Sequence, residues 1–198
     1  GIANTTPGRL FGSTAITAGE TTVADDQRSV GAFFDVLSDD YAAAIDRCFP
    51  RYREMLGALL DYLPRATAIR DVLELGCGTG NLTLLLSDAF PAAAIHAVDL
   101  SGDSLDICRS RLGSTPRLST DQRDIRDLTA AKESYDLVIS SIAIHHLESS
   151  EKRGLFRRIR RWLRPGGVFA FADQCRGVAD DVYARHIEHW QADSRAAG

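Results

Sequence analysis

Leu73-Glu74-Leu75-Gly76-Cys77-Gly78-Thr79-Gly80 is an apolar run with an acidic residue near its end. It passes into three glycines at alternate positions, and an apolar helix begins at Asn81-Leu82. Glycine has no Cβ, so the backbone can turn sharply there and let a ligand lie directly against it. The helix that follows aims its first free N–H groups at that ligand. Strand, glycine loop and helix together read as a cradle for a nucleotide cofactor.

Outward from this stretch, strands alternate with helices. Short apolar runs at 71–75, 94–98, 117–121, 135–140 and 167–173 read as strands. Helices are expected at 80–89, 102–112 and 149–163, with a turn near 127–131. Near-continuous apolar runs such as Asp136-Leu137-Val138-Ile139-Ser140 and Val168-Phe169-Ala170-Phe171-Ala172 mark parallel strands buried on both faces. This alternation predicts an α/β doubly wound sheet whose ligand lies at the carboxyl ends of the strands. Upstream, Phe33, Phe34, Val36, Leu37, Tyr41, Ala44 and Ile45 recur at helical spacing. A second helix carries Tyr52, Met55, Leu56, Leu59, Leu60 and Leu63 and stops at Pro64. The chain therefore divides into a flexible lead-in (1–27), a helical N-terminal cap (28–66) and the sheet domain (67–198).

A length of 198 residues suits one substantial core, and the apolar (44%) and charged (25%) fractions are those of an ordinary globular domain. No apolar run approaches the roughly 20 residues of a membrane span, and no signal-peptide pattern is present, so no membrane partner is expected. The net charge of −4 argues against a large nucleic-acid surface. Cys48, Cys77, Cys108 and Cys175 are widely spaced with no CxxC pair, which argues against a disulfide frame or zinc site and fits a reducing cytoplasm. The first residue is Gly1, as in a trimmed chain.

Two cofactors compete for the cradle. A dinucleotide site wants GxGxxG, because its third glycine brings the helix close behind the pyrophosphate. Here the spacing is GxGxG, and Asn81 stands at the sixth position. Glu74 would repel a pyrophosphate but suits a ligand carrying an ammonium group; its plainer reading is a helix or turn partner. Asp99 ends the second strand, where a carboxylate accepts from both hydroxyls of a ribose. Asp124 follows the third strand and can take an adenine amino group while the Ile125 N–H meets a ring nitrogen. Aspartate is also common at strand ends for local reasons.

In this order the residues resemble the class I S-adenosylmethionine-dependent methyltransferases. Four features over about residues 33–190 carry the resemblance: Glu74-Leu75-Gly76-Cys77-Gly78-Thr79-Gly80, Val98-Asp99-Leu100-Ser101, Asp124, and Leu163-Arg164-Pro165-Gly166-Gly167. The resemblance implies that the loop of Gly76, Cys77, Gly78, Gly80 and Asn81 holds the methionine part and ribose. It assigns Asp99 and Leu100 to the ribose, and Asp124 and Ile125 to adenine. The run into Ser140-Ser141-Ile142 is similar to the family's fourth strand, which places Ser141 beside the methyl group. Tyr41 of the cap would close over the methionine end, unless it is an ordinary half-buried aromatic. The implied reaction moves a methyl from S-adenosyl-L-methionine to a small-molecule hydroxyl, amine or carboxylate, leaving S-adenosyl-L-homocysteine. Alternatives are a cofactor-binding module without transferase activity or completed by a partner, and a tRNA-wobble-modification enzyme of the same fold. An NAD oxidoreductase ranks last.

Methyl transfer from a sulfonium is an in-line displacement, so the protein mainly aligns the nucleophile and excludes water. A base is needed only for an acceptor that arrives protonated. His146 and His145, after the fourth strand, are the candidates, His146 slightly ahead; the plainer reading is that they shape the pocket. Asp173 ends the fifth strand and either positions a polar acceptor or caps the next helix. His186 and His189 lie three apart on a helix but lack a partner set, so no metal is expected. Lys152, Arg153, Arg157, Arg158, Arg160, Arg161 and Arg164 oppose a core stripe of Leu155, Phe156, Ile159, Trp162 and Leu163. They read as a solvated face, with docking of an acidic carrier protein or RNA as the sharper alternative.

The family's sheet usually runs 3-2-1-4-5-7-6. Only the order 3-2-1-4-5 is legible here, without strands 6 and 7. Strand five, with Val168, Phe169 and Phe171, would then be an apolar edge, and such edges recruit other chains. Its cover is expected to be a second copy in a dimer, a partner chain, or a C-terminal segment lost by truncation, the last being favoured.

Overall fold

The computed structural model describes Phe49 and residues 51–64, 68–113, 117–175 and 179–196. The expected lead-in and most of the expected cap, Tyr41 included, lie outside the described residues.

Helix α1 (Tyr52–Asp61) precedes strand β1 (Asp71–Leu75), then come α2 (Asn81–Ala89), β2 (Ala94–Asp99), α3 (Gly102–Leu112) and β3 (Leu118–Gln122). Strand β4 (Tyr135–Ser141) leads through a 3₁₀ turn (Ile144–His146) into α4 (Ser149–Trp162), β5 (Leu163–Ala172) and α5 (Asp180–Ala196). The five strands are parallel in the order β3-β2-β1-β4-β5. This is the α/β sheet the alternation predicts. Its central strand β1 feeds the glycine loop.

Each strand of a doubly covered parallel sheet needs apolar residues on both faces. One face joins Val72, Ile95, Leu137 and Ile139 to Leu82 and Leu86 of α2 and to Tyr52, Leu56 and Leu59 of α1. The other joins Leu73, Leu75, Val98 and Val138 to Leu155, Ile159 and Trp162 of α4. Those three α4 residues follow helical spacing, so one stripe faces the sheet. A capping box between Glu148 and Glu151 starts the helix, satisfying its first backbone N–H groups. Trp162 ends it and is 2% exposed. Trp162→Ala is expected to cost about 3–5 kcal/mol by urea unfolding, because the loss of transfer energy and the cavity add. A cost below about 1 kcal/mol would show that this face is not a close-packed core.

Several details differ from the sequence expectation. Helix α1 ends at Asp61, three residues before Pro64. Strand β5 begins at Leu163 rather than 167: Leu163 pairs with Tyr135, and regular pairing resumes at Val168 opposite Leu137 after a register shift. Arg164 in that irregular segment reaches Asp71 (2.8 Å) and Asp136 (3.0 Å), so it belongs to an ion cluster and not to the solvated basic face. Phe156 leaves the expected core stripe: it is 37% exposed and packs on Phe169 and Phe171 along the sheet edge. Among the described residues no strand pairs with the outer edge of β5. Arg153, Arg157, Arg160 and Arg161 are exposed, whereas Arg158 donates to the Ile125 carbonyl (3.0 Å) and lies over the Trp162 ring. His186 and His189 are both exposed on α5. Among the described residues no helix is long and apolar enough to cross a membrane.

Candidate functional site

The loops after β1, β2, β4 and β5 meet at the carboxyl edge of the sheet. The glycine loop is fastened there by backbone. Gly76 and Cys77 N–H both donate to the Val98 carbonyl (2.8 and 3.1 Å). Gly76 has φ +70°, and a Cβ built on it would lie 2.3 Å from the Ala143 Cβ. Gly80 has φ +86°, and its Cβ would meet Cys108 Sγ at 2.7 Å. Neither position admits a side chain without moving the loop.

Asp99 is oriented by two backbone donors: Gly78 N–H to Oδ2 (2.7 Å) and Ser101 N–H to Oδ1 (2.9 Å). Its acidic group is thus held between the glycine loop and the start of α3, with Leu100 exposed beside it. Arg111 on α3 donates to the Thr79 carbonyl (2.7 Å) and to Asn81 Oδ1 (2.8 Å). Asn81, at the position where a dinucleotide loop has glycine, therefore anchors the loop to α3. Arg111 escaped the sequence reading because nothing local distinguishes it from any other basic residue in the last turn of a helix.

Glu74 is 1% exposed, and neither carboxyl oxygen has a hydrogen-bond partner among the described residues. Of the helix or turn partners that the plainer reading offers, the Thr83 hydroxyl of α2 is the one that bears on it. Burial pushes its pKa up to about 8; Cys108 and Asp99 add to the rise, while the Thr83 hydroxyl opposes it. Beside it, Cys77 is held as a thiol, its pKa driven up by its contact with Cys108 and by burial.

Asp124 follows β3 as expected, but Arg126 engages it. Arg126 Nη2 reaches Oδ2 at 2.6 Å, Nε reaches both oxygens, and the Arg126 N–H donates to Oδ1 (2.8 Å). Burial opposes ionisation of Asp124, yet these bonds outweigh it and hold the carboxyl below its usual range. An adenine contact at Asp124 would share the carboxylate with this guanidinium. Ile125 is half-buried, with its carbonyl taken by Arg158.

On the other side of β1, Ser140 Oγ donates to the Leu75 carbonyl (2.7 Å), and Ser141 is buried at the end of β4. Ile142 then adopts φ +50°, a left-handed conformation that is costly for a β-branched residue. Its N–H is secured on the Ala172 carbonyl (2.9 Å). This strained turn sets Ala143 against Gly76 and sends the chain into His145 and His146.

His145 and Asp173 are 28 residues apart and meet across the ends of β4 and β5. His145 Nδ1 lies 2.6 Å from Asp173 Oδ1, and the His145 N–H donates to Oδ2 (2.9 Å). The Asp173 side chain is 5% exposed. Burial disfavours its charge, but the bonds from His145 and from the Gln174 N–H outweigh burial and hold its carboxyl below the usual range. An ionised carboxylate only accepts, so Nδ1 carries a proton, and in the neutral imidazole Nε2 is the nitrogen left to accept. His146 packs against His145 with ring centroids 4.0 Å apart and the planes tilted by 42°. Desolvation, then the charge of a protonated His145, lowers the His146 pKa despite Asp173. The buried carboxylate pairs with His145 and not with His146, which the sequence reading put first. Asp173 is engaged by His145 and by the Gln174 N–H.

An anchored glycine loop, an oriented carboxylate at the end of β2 and the strand order 3-2-1-4-5 agree with a Rossmann-like S-adenosylmethionine-dependent methyltransferase fold. Residues 72–167 match the family model of the methyltransferase domain. The malonyl-(acyl-carrier protein) O-methyltransferase of Halalkalibacterium halodurans is 33% identical over 106 residues, 52% of this chain and 38% of the relative. The phosphoethanolamine N-methyltransferase of Plasmodium falciparum is 26% identical over 120 residues, 59% of this chain and 45% of the relative. The chain thus spans less than half the length of either. Among solved structures, an S-adenosylmethionine-dependent methyltransferase from Mesorhizobium loti superposes with a TM-score of 0.51 at 31% identity, covering 58% of this chain and 50% of that one. The residues fit S-adenosylmethionine: the bare backbone at Gly76 leaves no room for a Cβ, and the strand that feeds the loop carries a buried acid, Glu74, with no hydrogen-bond partner among the described residues.

Proposed function

We propose that this chain carries the catalytic domain of an enzyme that moves a methyl group from S-adenosylmethionine to an oxygen or nitrogen of a small-molecule acceptor. His145 is its acceptor-side base. The observation that carries the base assignment is the 2.6 Å contact of His145 Nδ1 with the buried Asp173 carboxylate. When bound, the cofactor supplies a methyl already activated on a sulfonium sulfur. Gly76, Gly78 and Gly80 offer it bare backbone, and Asp99 offers an oriented acceptor for ribose hydroxyls. Asp173 fixes the His145 tautomer, and His145 Nε2 takes the proton from a hydroxyl acceptor as it gains the methyl, or from an ammonium acceptor before the freed lone pair attacks. The names of the two relatives, one an O- and one an N-methyltransferase, support this acceptor class.

A cofactor-binding domain completed by another chain is the second reading. The unpaired outer edge of β5, with Phe171 44% exposed, favours it. Calorimetry with S-adenosylmethionine, S-adenosylhomocysteine and NAD tests the cofactor, and transfer of labelled methyl to a panel of small hydroxyls, amines and carboxylates tests the reaction. Heat with neither sulfur ligand would sink the cofactor assignment; binding without transfer to any acceptor would favour the second reading. With an acceptor in hand, His145→Ala is expected to lower kcat by about 10²–10⁴-fold with S-adenosylhomocysteine affinity unchanged. Loss in His146→Ala but not in His145→Ala would overturn the base assignment.

A further inference from the structure

Glu74 sits on the strand that feeds the cofactor loop, yet no cationic group among the described residues answers its carboxyl. Its strand neighbours are Ala97 on β2 and Ile139 on β4. The groups that act on it are the Thr83 hydroxyl of α2, the Cys108 thiol of α3 and the Asp99 carboxylate at the end of β2, none of them cationic. Cys77 in the loop above is a neutral thiol. Arg111, which bears on Cys108, is engaged by the Thr79 carbonyl and Asn81. An unpaired carboxylate cannot be kept cheaply in such a place, so without cofactor the group is the neutral acid. A cofactor with a sulfonium and an α-ammonium changes that balance, because nearby positive charge favours the ionised form.

We propose that Glu74 gives up its proton to solvent when the cofactor binds, so that cofactor affinity is coupled to pH through this one buried acid. Carboxylic acid plus cationic cofactor becomes carboxylate–cofactor complex plus one free proton. Affinity then rises with pH, by at most tenfold per pH unit, between the Glu74 pKa of the complex and that of the free protein. The inference rests on the cradle taking S-adenosylmethionine.

Calorimetry at pH 7 in two buffers of very different ionisation enthalpy counts the protons released. S-Adenosylhomocysteine and S-adenosylmethionine are both used, because an α-amino group titrating near about 8 contributes protons of its own. At pH 7 such a group is already mostly the ammonium, so its retention on binding adds only a small fraction of a proton in either protein, and a difference near one between wild type and Glu74→Gln isolates Glu74. A difference approaching one proton is expected; equal counts would overturn the proposal. Cys108→Ala is expected to keep the release, and its loss there would assign the proton to the thiol instead. Should Glu74→Gln not bind, infrared spectra of the wild type decide: a protonated-carboxyl band at neutral pH must be present and must vanish on cofactor addition. A persistent or absent band refutes the coupling. Binding heat without proton release defeats this inference alone, whereas no heat with either ligand defeats the cofactor reading beneath it.

Discussion

In Glu74→Gln the cofactor-free protein becomes more stable than wild type at pH 8, and the two converge near pH 4. The reference carboxyl titrates at 4.5 and the folded one at about 8, with burial as the leading cause. Between those values the unfolded chain has released a proton that the native protein retains. Native protein therefore binds more protons, and stability falls as pH rises through this window. A gap of this size corresponds to an upper bound on the order of 5 kcal/mol, at about 1.4 kcal/mol per pKa unit. Glutamine has the size and hydrogen-bonding polarity of the neutral acid and cannot ionise, so the slope between pH 5 and 8 should largely disappear. Urea unfolding of both proteins across pH 4–9 measures it. Parallel stability curves would mean that Glu74 is solvated or paired in solution.

Much of this site was legible because its pieces are local. Strand, glycine loop and helix are contiguous from Leu73 to Leu86, and parallel strands buried on both faces announce themselves as apolar runs. What escaped the sequence reading depends on contacts between chain segments far apart. Asp173 and His145 meet only because β5 lies beside β4, so the ends of the two strands share one edge. The expected order 3-2-1-4-5 already implied that proximity, and it is the signal that could have paired His145 with Asp173. Asp124 looked like an adenine ligand, whereas Arg126, two residues on, competes for the same carboxylate. The start of β5 was misplaced because Arg164-Pro165-Gly166-Gly167 has turn composition, while its pairing is irregular and tied down by Arg164 on Asp71 and Asp136. Phe156 has helical spacing with the core, but its turn of α4 lies over the edge strand, where Phe169 and Phe171 receive it.

Gly76→Ala is expected to abolish measurable cofactor binding, with at least a hundredfold loss of S-adenosylhomocysteine affinity, and to destabilise the fold. Two costs add there. A left-handed φ of +70° costs an L-residue about 1–2 kcal/mol. The new methyl would also stand 2.3 Å from the Ala143 Cβ, far inside contact distance. Neither neighbour can yield freely. Gly76 is tied through its N–H to Val98, and Ala143 follows Ile142, whose strained backbone is fastened to Ala172. The loop must therefore rise off the sheet, taking with it Gly78 and its bond to Asp99. Gly113 provides the internal comparison: its φ is +65° with ψ −162°, a region essentially reserved for glycine, and among the described residues nothing lies within 4 Å of its Cβ position. Gly113→Ala should show the conformational cost alone, about 1–3 kcal/mol in urea, with cofactor affinity intact. Equal losses in both variants would mean that backbone strain, and not the packing of the β4 loop against the cradle, controls the site. A large difference confined to Gly76 would establish that Ala143 and Gly76 are pressed together, linking the cofactor loop mechanically to the turn that carries His145.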